Sequence, residues 1–146
     1  NSVSNGIFFA YVGVCAVLIQ GVLFGRIQPR LGEKRLVLIG LGLMTLGLAL
    51  VALTPQAWLL YPAVGVVALG SGLSIPSLTA LASQRASAGE QGRLMGGTQA
   101  LLSLTMIVGP TLAGVAFERI AVTAPYWLGS LLAGAALGVA VTALRR

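Results

Sequence analysis

Leu36-Val-Leu-Ile-Gly-Leu-Gly-Leu-Met-Thr-Leu-Gly-Leu-Ala-Leu-Val-Ala-Leu53 holds one polar side chain, Thr45, in 18 consecutive residues. At a rise of about 1.5 Å per residue, a helix of this length covers about 27 Å, close to the roughly 30 Å hydrocarbon layer of a bilayer. Four more stretches of the same kind flank it, at about Gly6–Gly25, Trp58–Ala82, Leu94–Phe117 and Tyr126–Leu144, and none has an Asp, Lys, Arg or His in its interior. Barrel strands would instead be roughly 10 residues of alternating polarity. The chain therefore predicts an all-α integral membrane fold with five transmembrane helices, at about 6–25, 36–53, 58–82, 94–117 and 126–144.

Composition agrees. With 57% hydrophobic and 8% charged residues and a mean hydropathy of +0.96, the 146 residues cannot furnish a soluble surface, in which about a quarter of residues are charged. The net charge of +6 does not point to nucleic acid, because the cations sit in short turns rather than on a groove-sized face. Arg26, Arg30, Lys34 and Arg35 follow the first span, Arg85 and Arg93 lie between the third and fourth, and Arg145 and Arg146 close the chain. The other side holds the Thr54–Ala57 and Glu118–Pro125 turns, with Arg119 as its one basic residue. Eight against one predicts the N-terminus outside and the C-terminus in the cytoplasm, since basic residues are retained on the inner side.

Asn1–Asn5 offers no initiating Met, no basic signal region and no earlier span that could carry the N-terminus outward. Five helices with an exported start are what remains when a six-helix unit, both ends cytoplasmic, loses its first helix. The expectation is a carboxy-terminal fragment whose partner is the missing amino-terminal half. A natural five-helix membrane scaffold is the alternative, and the coding sequence upstream of Asn1 separates the two.

Catalytic chemistry has little material. The chain has no His and no Asp, its one cysteine, Cys15, lies within the first span, and Glu33, Glu90 and Glu118 lie in turns or at span ends. Metal-ligand clusters and nucleophilic triads are therefore not expected, nor is any cofactor.

The turn after the first span reads Gly21-Val-Leu-Phe-Gly25-Arg-Ile-Gln-Pro29-Arg30-Leu-Gly32-Glu-Lys34-Arg35. Pro29 and Gly32 favour a tight reversal, and Arg30, Lys34 and Arg35 hold it at the anionic inner face. Its spacing resembles the Gly-x3-Asp-Arg-x-Gly-x-Arg-Arg turn of the major facilitator superfamily of secondary transporters. In the fourth span, Gly96, Thr105, Gly109, Pro110, Ala113 and Gly114 resemble that family's glycine-rich antiporter motif, with Thr105 and Ala113 in place of two glycines. Gly32-Glu33-Lys34-Arg35, Ile75-Pro76, Gln91–Gly96 and Ile107–Pro110 are similar to the carboxy-terminal half of tetracycline/proton antiporters and related drug exporters.

The resemblance implies helices eight to twelve of twelve, a bacterial inner membrane, a small amphipathic substrate exported by alternating access, and proton coupling through the missing half. It also implies that Gly96, Gly109, Pro110 and Gly114 serve helix packing. An importer of sugars or other metabolites on the same fold is the second reading. Pro29 departs from the family by replacing the acidic residue of the turn, which removes a charge contact that could lock it to a neighbouring helix end. Anchoring is then favoured over gating for Gly25, Arg30, Gly32, Lys34 and Arg35.

Polar groups inside a membrane are costly and usually face the bundle interior or water. The second and fifth spans carry only Thr45, Ser130 and Thr142, and read as lipid-facing supports. Tyr11, Gln20, Ser74, Gln99 and Ser103 are the candidates for a substrate pathway. For Ser71, Ser77, Thr79 and Thr98, a bond back to the carbonyl one turn earlier is expected to suffice. Gln20 and Gln99 need more, because an amide has two donors and an acceptor. Gln99, Ser103, Met106 and Pro110 share one helical stripe, with Leu101, Leu104 and Val108 on the opposite side. Gly134-x3-Gly138 and Gly21-x3-Gly25 have the small-residue spacing of close helix contacts, and Trp58, Tyr61, Tyr126 and Trp127 read as interface anchors.

Overall fold

The computed structural model describes residues 2–87 and 89–144, with side-chain surroundings from residue 6 onward. Asn1, Arg145 and Arg146, which enter the chain-start and charge arguments, lie outside the described residues, as does Ala88. The described residues form helix α1 (Ser2–Leu18), a π-helical segment (Ile19–Leu23), α2 (Phe24–Leu53), a 3-10 turn (Ala57–Leu59), α3 (Leu60–Arg85), α4 (Gln91–Arg119) and α5 (Ala124–Leu144). Four continuous helical runs, Gly6–Leu53, Ala57–Arg85, Gln91–Arg119 and Ala124–Leu144, are long and apolar enough to cross a membrane. This is an all-α membrane fold.

The first run is 48 residues long, about 72 Å at the helical rise, more than twice one hydrocarbon layer. Gly32 divides it, with φ 73° and ψ 159°. A side chain would strain at that φ, and Pro29 three residues earlier removes a backbone donor from the same turn. α2 ends where Thr54, the residue before Pro55, goes extended at ψ 113°. At the start of α4 the Ser87 Oγ and backbone N–H both donate to Glu90 Oε2, at 2.6 and 3.3 Å. Those bonds hold the Glu90 carboxyl below its ordinary range.

Contact registers give the topology. Gly40 meets Gly70 and Ser74 while Gly47 meets Val67, so α2 runs antiparallel to α3. Thr45 meets Ser130 and Gly134 while Leu48 meets Gly129, so α5 is antiparallel to α2. Tyr11 meets Tyr61 and Gly65 while Ile19 meets Gly72, which makes α1 parallel to α3. The chain therefore reverses at Gly32. One end of the bundle gathers the α1–α2 turn and the C-terminus of α3, and the other gathers Phe8, Tyr61 and Tyr126 around an apolar cavity of about 630 Å³.

Two expectations are corrected here. α2, read from sequence as a lipid-facing support, is the centre of the unit: it packs on both α3 and α5, and its Leu36 and Val37 are 0% exposed. Its glycines allow this. A methyl on Gly40 would stand 2.7 Å from the Gly70 carbonyl oxygen, and one on Gly70 would stand 2.6 Å from the Gly40 oxygen. The sparse polar groups of the supposed supports also join them, since Ser130 Oγ donates to the Thr45 carbonyl at 2.9 Å. The second correction concerns the small-residue pairs. Gly21, Gly25 and Gly138 have nothing within 4 Å of a built Cβ, and Gly134 makes only an ordinary 3.5 Å approach to Thr45. Spacing alone could not show that Gly40, Gly47 and Gly70 are the ones a neighbouring backbone faces.

Candidate functional site

The five pathway candidates separate into two groups. Tyr11 and Ser74 are used for helix packing. The Tyr11 hydroxyl donates to the Tyr61 carbonyl at 3.0 Å, and its ring stands edge-on to Tyr61 with centroids 5.4 Å apart. Gly65 makes room for this, as a methyl there would come within 2.8 Å of the Tyr11 hydroxyl. Ser74 is 1% exposed, donates to the Gly70 carbonyl at 2.8 Å and lies 3.6 Å from Met44 Sδ. It is buried in the glycine-lined contact of α2 and α3.

Gln20, Gln99 and Ser103 remain exposed. Gln20 lies in the π-helical segment, whose extra residue per turn re-aims the side chains that follow. Ile19 beside it is buried against Gly72, where a methyl would come within 2.6 Å of Ile19 Cγ2. The sequence carries no clear signal for this π segment beyond the adjacent Gln20-Gly21.

Gln99 and Ser103 stand on α4, which touches α5 and α3 only lightly. Both sides of α4 are open: Met106 on the polar stripe is 78% exposed and Leu101 opposite it is 69% exposed. A methyl on Gly96, Gly109 or Gly114 would meet no atom within 4 Å among the described residues. Near its start, α4 and the end of α3 enclose an open depression of about 830 Å³, walled on the α4 side by Arg93, Thr98, Leu101 and Leu104. Leu101 and Leu104 come from the face opposite Gln99.

The hydroxyls expected to bond backward do so at Ser71, Thr79 and Thr98, to the carbonyls of Ala68, Ile75 and Leu94. Ser77 is the exception. It is 0% exposed, and its Oγ has no partner among the described residues.

At the opposite end from the aromatic residues, the turn motif is tied to α3 by a residue the sequence reading passed over. Glu33 Oε1 accepts from Gln28 Nε2 at 2.9 Å and from Gln84 Nε2, on the last turn of α3, at 3.2 Å. The Glu33 backbone N–H, the Gln28 amide and the Gln84 amide hold its carboxyl below the usual range, against a smaller opposing effect of burial. The tie that Pro29 cannot make is supplied four residues later by Glu33. Its position three residues before the apolar span of α2 was the available signal.

A bundle of long apolar helices with a basic turn at one end defines a multi-pass membrane protein. The chain belongs to the Major Facilitator Superfamily, whose profile matches residues 2–146. It is 34% identical to the class C tetracycline resistance protein of Escherichia coli over 97% of this chain and 35% of that protein. It is 30% identical to the class H tetracycline resistance protein of Pasteurella multocida over 94% of this chain and 34% of the relative. It is also 36% identical to Hippocampus abundant transcript-like protein 1 of Rattus norvegicus, over 75% of this chain and 22% of that protein. The chain thus spans about a third or less of the length of these relatives.

Proposed function

We propose that this chain supplies part of the carboxy-terminal half of a proton-coupled exporter of small amphipathic molecules, working by alternating access in a bacterial inner membrane. The observation that carries the reading is the similarity to tetracycline resistance proteins along nearly the whole chain. Alternating access needs two repeats rocking about a midplane site, and the open faces of α4 agree with a unit that meets further helices. In this reading Gln20, Gln99 and Ser103 line the pathway. The apolar interiors of the spans hold no carboxylate or His, so the groups that carry the proton are assigned to the part of the transporter outside this chain.

The test is tetracycline accumulation in sensitive cells that express either this chain alone or the longer protein with its native flanking sequence. The longer protein is expected to lower accumulation, a protonophore to restore it, and the chain alone to do nothing. Efflux by purified Asn1–Arg146 in liposomes would overturn the two-half reading. A longer protein that lowers the accumulation of neither tetracycline nor other amphipathic drugs would overturn export.

A further inference from the structure

The reversal at Gly32 leaves an open, surface-facing cavity of about 540 Å³ between residues 30–35 of α2 and the end of α3. Arg30, Lys34 and Arg35 line it from the turn, and Leu81 and Gln84 line it from α3. Three cations thus converge on one space against a single carboxylate, Glu33. That carboxylate is engaged by two neutral amides, those of Gln28 and Gln84. Among the described residues Arg30, Lys34 and Arg35 form no ion pair within 4.0 Å. Leu31 and Leu81 supply apolar wall, and the buried start of the α2 span follows directly at Leu36.

We propose that this cavity binds the phosphodiester headgroup of an anionic lipid. A phosphodiester carries one negative charge on two unshared oxygens, which suits a guanidinium fork, and Lys34 adds a compact charge beside it. The cavity lies where the spans end, at headgroup depth, and its apolar wall continues into the hydrocarbon layer. Basic pockets between membrane helices hold anionic headgroups for these reasons. The Glu33–Gln84 bond shapes the site by fixing the turn against α3, and bound lipid would strengthen that joint. The inference depends on membrane residence and not on transport, and its test reads binding.

The test uses the protein at its full expressed length, purified in a neutral detergent. Its melting midpoint is measured with added phosphatidylglycerol, phosphatidylcholine, glycerol 3-phosphate or inorganic phosphate. Phosphatidylglycerol is expected to raise the midpoint saturably, and the other three to do little. Arg30→Ala and Arg35→Ala should each weaken phosphatidylglycerol binding about fivefold, and each shift is read against that variant's own lipid-free midpoint. Arg30→Lys/Arg35→Lys keeps the charge, and with it the membrane topology, but should still weaken binding by losing the forks. Arg93→Ala, at the same end but outside the cavity, should change little. Equal shifts with phosphatidylcholine, or an Arg93→Ala effect as large as that of Arg30→Ala, would overturn the site. Equal shifts with inorganic phosphate would make the occupant a soluble phosphate and overturn the lipid assignment.

Discussion

One of the tightest helix contacts is one where two glycines face each other. A methyl on Gly70 would meet the Gly40 oxygen and the Met44 backbone nitrogen at 2.6 Å, and backbone cannot rotate aside as a side chain can. Gly70→Ala should therefore destabilise the protein by about 1–3 kcal/mol, the usual cost of forcing volume into a packed contact. Gly109→Ala meets nothing within 4 Å in this chain and should be neutral, or gain up to about 1 kcal/mol in helix propensity. The two buried serines of α3 make a second contrast. Ser77→Ala removes a hydroxyl with no partner and should stabilise by about 1 kcal/mol, whereas Ser74→Ala breaks a satisfied bond and should cost about as much. Melting midpoints in detergent decide both pairs, and a stabilising Gly70→Ala would mean that α2 and α3 do not approach this closely.

At the level of helices, hydropathy made the class and the apolar segments legible, because 18 apolar residues such as Leu36–Leu53 have few other places to go. The reversal at Gly32 was legible too, through Pro29 and the basic run. What did not show was which side of each helix is covered. The Leu36–Leu53 part of α2 and most of α5 are apolar all round, so the sequence has no polar face to mark the outside, and absence of polarity points to lipid exposure although α2 is the core. The π segment at Ile19–Leu23, where Ile19 packs against Gly72, was equally invisible. α4 presents the reverse case: its stripe of Gln99 and Ser103 is plain in the sequence, while the described residues cover little of either side of it. If the proposed two-half transporter is right, cysteines at positions 99 and 103 in it should react with a water-soluble maleimide and be protected by substrate, and one at 101 should not. Gln99→Ala should weaken transport about fivefold with expression intact, the effect of one lost polar contact. Labelling and protection at 101 with inert 99 and 103 would turn α4 the other way.

For the molecule as a whole, the registers of α1, α2, α3 and α5 turn a count of charges into a geometric statement. Because neighbouring segments alternate in direction, the Arg26–Arg35 turn and Arg85 share one end, and Glu33 physically joins them through Gln84. Arg119 stands at the close of α4, at the far end of that helix from Arg93. An asymmetry of this kind orients a bundle with its basic end in the cytoplasm, where translocation of cations is opposed and anionic lipid attracts them. In a Cys15→Ser background, cysteines replacing Pro29 and Gly89 should therefore be labelled by an impermeant maleimide only after the inner face is opened. Cysteines replacing Gln56 and Val122, both exposed beside the aromatic end, should be labelled in intact cells. The opposite pattern would put the basic cavity at the outer leaflet and invert the direction in which the helices are counted. A mixed pattern within one end would mean that the turn and the end of α3, which Gln84 joins by donating to Glu33, do not meet.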